Sequence, residues 1–260
     1  MPSPTARKTG LDAERLAIAT VVLIAVILRI VNLNAGLWYD EVITLIQSVR
    51  LAPAELLVTY GSLNNHVLYT WLAKACVALF GEEPWALRAP ALALGAASIA
   101  AAWLMFRESG YRWAAVAAAA LLALSYHHVW FSQNARGYTG LLLFTTLAGL
   151  ALHRALTTRE RRYWFAYAAF FAISMLIHLS AAFLLAAQGL AVLLHGALVA
   201  RREADASFWR WIFGPMIGFG CGSLIVLAVF APMIGGMIET FGAVAGPAEP
   251  AANGVVEWKN

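Results

Sequence analysis

The chain has 260 residues, of which 62% are hydrophobic and only 12% charged, with a mean hydropathy of +0.72. That composition excludes an ordinary soluble domain and leaves room for about seven membrane spans plus one sizeable loop. The net charge of +4 reads as loop orientation rather than a nucleic-acid surface, and Cys76 and Cys221 are too few and too distant for a redox or zinc motif.

In chain order, Arg7, Lys8 and Arg15 precede an apolar run from Leu16 to Leu33. The run lacks a small-x-small cleavage site, so it is read as an uncleaved signal-anchor. With 16–33 as the first, further spans are predicted at 88–106, 113–131, 137–153, 163–178, 181–199 and 211–232. The apolar stretch 66–80 is the ambiguous one. At 1.5 Å per residue it covers about 22 Å, against a hydrocarbon core of about 30 Å. Basic residues decide the matter. If 66–80 lies on the membrane surface, the N-terminus shares the cytoplasmic side with Arg107, Arg112, Arg154, Arg159, Arg161, Arg162, Arg201, Arg202 and Arg210. Together these are 12 of the 18 Lys and Arg residues. If it crossed, those nine loop arginines would face outward.

The expected organisation is therefore a cytoplasmic N-terminus (1–15), a membrane module (16–232) and an external C-terminal segment (233–260). Residues 34–87 form one long external loop. Within it Val42, Leu45, Ile46 and Val49 repeat at helical spacing, as do Val67, Leu68, Trp71, Leu72 and Ala75 with Lys74 beside them. Two amphipathic helices along the outer leaflet follow, separated by breaks at Pro53 and Gly61–Asn65. The Ala-rich run 114–120 permits close helix packing. The fold class is all-α, a multi-pass membrane protein.

This topology gathers polar residues on the outer side. Asp40 and Glu41 follow span one, where acidic residues serve equally well as a helix N-terminal signal. His66 opens the second surface helix, and Arg88 enters span two. Gln133, Asn134, Arg136 and Tyr138 occupy the turn between spans three and four, and His178 lies between spans five and six. Arg29, near the outer end of span one, either snorkels to the interface or faces the site; Arg88 and Arg136 are open to the same headgroup reading. Trp38, Tyr39, Tyr60, Trp71, Trp85 and Trp130 make an interfacial belt.

The order of these pieces resembles one family. Trp38-Tyr39-Asp40-Glu41 is similar to its W-x-D-E element, and Asn64-Asn65-His66-Val67-Leu68-Tyr69 to its N-x-H-P-P/L-Y element. Phe80-Gly81-Glu82 followed by Ala86-Leu87-Arg88-Ala89-Pro90 resembles F-G-x…A-L-R-L-P. Ser125-Tyr126-His127-His128 through Ser132-Gln133-Asn134-Ala135-Arg136-Gly137-Tyr138 resembles S-P-x-H-x-x-x-S-Q-E-A-R-x-Y. These elements are those of the integral-membrane GT-C glycosyltransferases of the protein O-mannosyltransferase and aminoarabinose-transferase type, glycosyltransferase family 39. Val67 departs from the family's proline and Asn134 from its glutamate. Beyond residue 138, Ile177-His178-Leu179 and Gln188 echo the pattern. Family members commonly run longer, so the chain is read as a fragment or a minimal form.

The resemblance implies a transferase at the extracytoplasmic face of the inner (plasma) membrane, using a polyprenyl-phosphate sugar donor and a protein, lipid or glycan acceptor. Asp40 takes the catalytic position with Glu41 as neighbour. His66, Arg88, Arg136, Tyr138, Gln133, Arg29 and His178 fall on donor- or acceptor-site positions. The chemistry suits these residue types. An attacking hydroxyl must lose its proton to a base, for which Asp40 is the candidate. A departing phosphate needs a guanidinium, for which Arg136 is the candidate. No metal site is assigned, although Glu41 is placed to help hold a divalent ion. The alternative is a non-catalytic relative that binds polyprenyl phosphate or supports a partner subunit. A transporter is disfavoured, because the spans after the first hold almost no ionisable residues at their centres.

Overall fold

The computed structural model describes residues 4–62, 65–108, 110–202 and 208–245. Asn64 and everything after Ala245 lie outside them, and so do the side chains of Arg7, Lys8, Arg201, Arg202 and Arg210. The described elements are all helical. In order they are α1 (Pro4–Ile30), α2 (Tyr39–Thr44), α3 (Pro53–Leu56), α4 (Val67–Phe80), α5 (Pro84–Arg107), α6 (Arg112–Leu124), α7 (Tyr126–Ser132), α8 (Tyr138–Thr158), α9 (Arg161–Ile177), α10 (Ala181–Arg202), α11 (Phe208–Pro215), α12 (Gly222–Phe230) and α13 (Ile234–Ala245). A π turn, Leu45–Val49, continues α2; a second, Met216–Cys221, joins α11 to α12.

Four described stretches are long and apolar enough to cross a bilayer: Pro84–Arg107, Tyr138–Thr158, Ala181–Leu198 and Ile212–Ala243. A fifth arises if α6 and α7, bent by 62° at Ser125, count as one broken span. The expectation of seven is thus met in part. The α9 helix has 17 residues, which cover about 25 Å. The α1 helix carries Glu14 and Arg15 just before its apolar run and Arg29 within it.

Helices α5 and α8 form the centre, with α6 and α1 on one side and α9 on the other. Small residues let the chains approach. Ala115, Ala119 and Ala123 recur every four residues along α6 and are fully buried; Ala119 and Ala123 pack with Ala25 of α1 and Ile99 of α5. A Cβ on Gly140 of α8 would collide with the Ile177 side chain at the end of α9.

The two ends of the bundle differ in chemistry. At one, Arg107 pairs with Glu14 and Arg154 with Glu108, each at 2.6 Å, so the start of α1 and the ends of α5 and α8 meet there. The opposite end holds residues 31–62, 65 and 66 and the turns after α7 and α9. These are the loops expected to lie on one side.

Both expected helices of the first loop are present, and Leu45, Val49, Val67, Leu68 and Trp71 of their apolar faces pack inward, but the faces are corrected at Ile46, Leu72 and Ala75. The inward face of α2 and its π turn is Glu41, Thr44, Ser48 and Val49, while Ile46 is 52% exposed. A buried ion pair at Glu41 fixes the rotation of the helix, and the wider π turn then shifts the register. Helix α4 buries Val67, Tyr69, Thr70 and Ala73 and turns Leu72 and Ala75 outward, although Trp71 packs beside Tyr60 and Phe230. It is apolar on most of its surface, so sequence spacing did not single out the buried face. Lys74 donates to the carbonyls of Val49 and Leu51 and fastens the two segments together. The segment after the last expected span is not wholly a tail, since Ile234–Ala245 is helical. Thr240 Oγ1 in that helix donates to the carbonyl of Tyr60.

Candidate active site

The site is built around a buried carboxylate. Glu41 has no exposed surface, and four N–H groups donate to its two oxygens. Arg88 Nε (2.8 Å) and the Ala135 backbone N–H (2.7 Å) reach Oε1; Arg88 Nη2 (2.6 Å) and the Trp38 backbone N–H (2.9 Å) reach Oε2. Arg88, 2% exposed, spends its remaining donors on the carbonyls of Leu33, Ala35 and Gly36. One carboxylate–guanidinium pair therefore ties together the exit of α1, the start of α2, the start of α5 and the turn before α8. Its contact with Trp38 is a reach-back helix cap, so the helix-start reading of the acidic pair holds for Glu41.

This knot sets the register of two partly exposed neighbours. Asp40 precedes Glu41, and Arg136 follows Ala135. They meet as an ion pair, Arg136 Nη1 to Asp40 Oδ2 at 2.6 Å. Unlike the pair behind it, this one reaches the surface, with Asp40 43% and Arg136 17% exposed.

Aromatic rings extend the site from Arg136. Its guanidinium lies over the Tyr138 ring, 5.0 Å from the centroid. Tyr138 contacts Phe131 at 4.5 Å and His178 at 4.7 Å, and His178 lies 4.5 Å from His66. Burial, reinforced by His178 and Arg136, holds the His66 imidazole well below its ordinary pKa. Burial and Arg136 push His178, in the turn beyond α9, down to about 4. Both rings are thus neutral near pH 7. The turn that carries Arg136 sits tightly on α9, since a Cβ on Gly137 would collide with the carbonyl of Ile177.

Of the expected site residues, Asp40, Arg136, Tyr138, His66 and His178 come together. The others are engaged elsewhere. Glu41 and Arg88 are buried against each other, and the four donors on Glu41 displace the expectation that it helps to hold a divalent ion. Gln133 donates to the carbonyls of Arg29 (3.3 Å) and Val31 (2.5 Å) and caps the end of α1. Arg29 neither snorkels nor joins the site. It is fully buried, donating to the carbonyls of Ala25 and Ala123 and to Ser132 Oγ, and it lies 2.5 Å from His128 Nδ1. Its role in the fold is to satisfy groups exposed where α6 breaks from α7. The decisive contact that sequence reading missed is the Ala135 backbone N–H, which no residue type announces.

A family model for dolichyl-phosphate-mannose-protein mannosyltransferases matches residues 64–235. The chain belongs to that family. No curated protein and no solved structure matches it. Membership implies a membrane glycosyltransferase of the GT-C type that uses a polyprenyl-phosphate sugar. The matched segment contains His66, Arg88, Arg136, Tyr138 and His178 but begins after Asp40 and Glu41. The case for those two carboxylates therefore rests on geometry.

Proposed function

We propose that the chain transfers a sugar from a polyprenyl-phosphate donor to an acceptor hydroxyl on the extracytoplasmic face of the inner membrane. Asp40 is the general base and Arg136 the phosphate-binding cation. The acceptor O–H proton passes to the Asp40 carboxylate as its oxygen attacks the anomeric carbon. The bond from that carbon to the phosphate oxygen breaks, and the phosphate departs with the electron pair. Arg136 meets the added negative charge through directed N–H donors. Attack from the face opposite the leaving group inverts the anomeric centre. Glu41 and Arg88 act as positioning residues, since each is buried and committed to the other.

The observation that supports this reading is the surface-reaching Asp40–Arg136 pair, a carboxylate and a guanidinium within one hydrogen bond of each other. The test is incubation of the purified chain with a panel of polyprenyl-phosphate sugars and acceptors. The wild type should transfer at least one sugar, and Asp40→Asn should be slower by about 10²–10⁴-fold, the usual worth of a positioned base. Equal transfer by both proteins would remove Asp40 from the mechanism.

A further inference from the structure

We infer that His66 and His178 form the subsite that holds the donor's sugar through its hydroxyl groups. This inference rests on the transferase reading and deepens it, because that reading assigns the phosphate and leaves the sugar without a partner.

The two rings come from distant parts of the chain, the residue before α4 and the residue after α9, yet their centroids lie 4.5 Å apart at 30°. Both Nε2 atoms are buried and neither has a hydrogen-bond partner. His66 as a whole is 4% exposed. Two adjacent unsatisfied ring nitrogens are costly. Although Glu14 Oε2 and Trp103 Nε1 are also buried without a partner, only here among the described residues do two such rings pack together. A further such atom, Asn134 Oδ1, belongs to the turn that carries Arg136, and Asn134 is 3% exposed.

Hydrogen-bond roles narrow the ligand. The Ser180 backbone N–H donates to His178 Nδ1 at 3.1 Å. A neutral imidazole that accepts at Nδ1 carries its proton on Nε2, so His178 presents a donor. Two neutral imidazoles offer a cation no charge compensation, and no group of three His, Cys, Asp or Glu that could hold a metal occurs among the described residues. A phosphate would be drawn to Arg136 instead. Hydroxyls both donate and accept, which suits a pair of neutral nitrogens.

The placement agrees. Tyr138 separates the histidines from Arg136, with the guanidinium over its ring at 5.0 Å and His178 at 4.7 Å. A glycosyl group held by its phosphate at Arg136 comes within reach of the histidines past the edge of Tyr138.

The test compares equilibrium binding, in nanodiscs, of bare polyprenyl phosphate with polyprenyl-phosphate mannose, glucose and arabinose. It uses full-length wild type, His66→Gln and His178→Gln. Wild type should bind at least one sugar-bearing lipid more tightly than the bare one. Each variant should narrow that preference by about tenfold, the worth of one good hydrogen bond, while still binding bare lipid as wild type does. Retained bare-lipid binding also certifies the fold. The inference is overturned if wild type shows no preference, if the variants leave the preference intact, or if they weaken both kinds of lipid alike. The transferase reading fails separately, when Asp40→Asn transfers as well as wild type does, and that outcome leaves the binding comparison standing.

Discussion

Glu41 and Asp40 are adjacent carboxylates with opposite fates, and the difference lies in what each touches. Glu41 is saturated by four N–H donors in the interior, whereas Asp40, itself partly exposed, meets the Arg136 guanidinium at the rim. Breaking a buried ion pair from one side strands the other charge, at a cost of about 3–5 kcal/mol. Glu41→Gln should therefore lower the thermal unfolding midpoint and slow transfer together, because Arg88 loses its counter-charge and the Ala135 turn loses its anchor. Asp40→Asn should slow transfer with little change in the midpoint. A Glu41→Gln protein as stable as wild type would show that the knot is not what places Asp40 beside Arg136. Sequence reading picked out both carboxylates and the two arginines that meet them, yet it could not tell which acid was structural. That distinction depends on helix rotation and on a backbone amide, neither of which is written in residue type.

At the scale of elements, the site depends on how closely the turn between α7 and α8 rests on the end of α9. Gly137 sits where any Cβ would strike the Ile177 carbonyl, and its neighbour Arg136 carries the guanidinium. Gly137→Ala must push the turn away from α9, with a strain cost of about 1–3 kcal/mol. The expected result is a drop in transfer rate larger than the drop in stability suggests, because the Asp40–Arg136 contact is displaced directly. Gly235→Ala, where a Cβ meets open space, is the matched control. Comparable activity in the two variants would show that the turn tolerates movement. Element positions were largely legible from hydropathy, but the break of 113–131 into two helices bent by 62° and the π turn inside 211–232 were not. The amphipathic faces in 42–49 and 67–75 were legible only in part, since Val49, Val67, Leu45, Leu68 and Trp71 pack inward and Ile46, Leu72 and Ala75 do not. The buried sides there include the polar Thr44, Ser48 and Thr70, which apolar spacing does not pick out, so contacts such as those of Glu41 and Lys74 decide which side packs.

Across the whole molecule, chemistry is polarised along the bundle. The Glu14–Arg107 and Glu108–Arg154 pairs mark one end, and the Asp40–Arg136 pair marks the other. The sequence argument assigned the arginine-rich end to the cytoplasm, since basic loops resist export. The separation of the two groups in space follows from helix lengths and connections, but which end faces outward is a matter of insertion. Cysteine labelling can decide it. Cys76 and Cys221, both free, are first replaced by alanine. Single cysteines are then introduced as Tyr39→Cys, at a position 64% exposed beside the site, and as Glu160→Cys in the exposed turn before α9. In intact spheroplasts a membrane-impermeant maleimide should label the first at once and the second only after permeabilisation. The reverse pattern would put Asp40 and Arg136 in the cytoplasm, and the donor would then have to present its sugar on that side. Labelling of both positions from outside would mean that an even number of crossings lies between residues 39 and 160. In that case α4 must cross, or the bent α6–α7 pair must dip in and return on the same side.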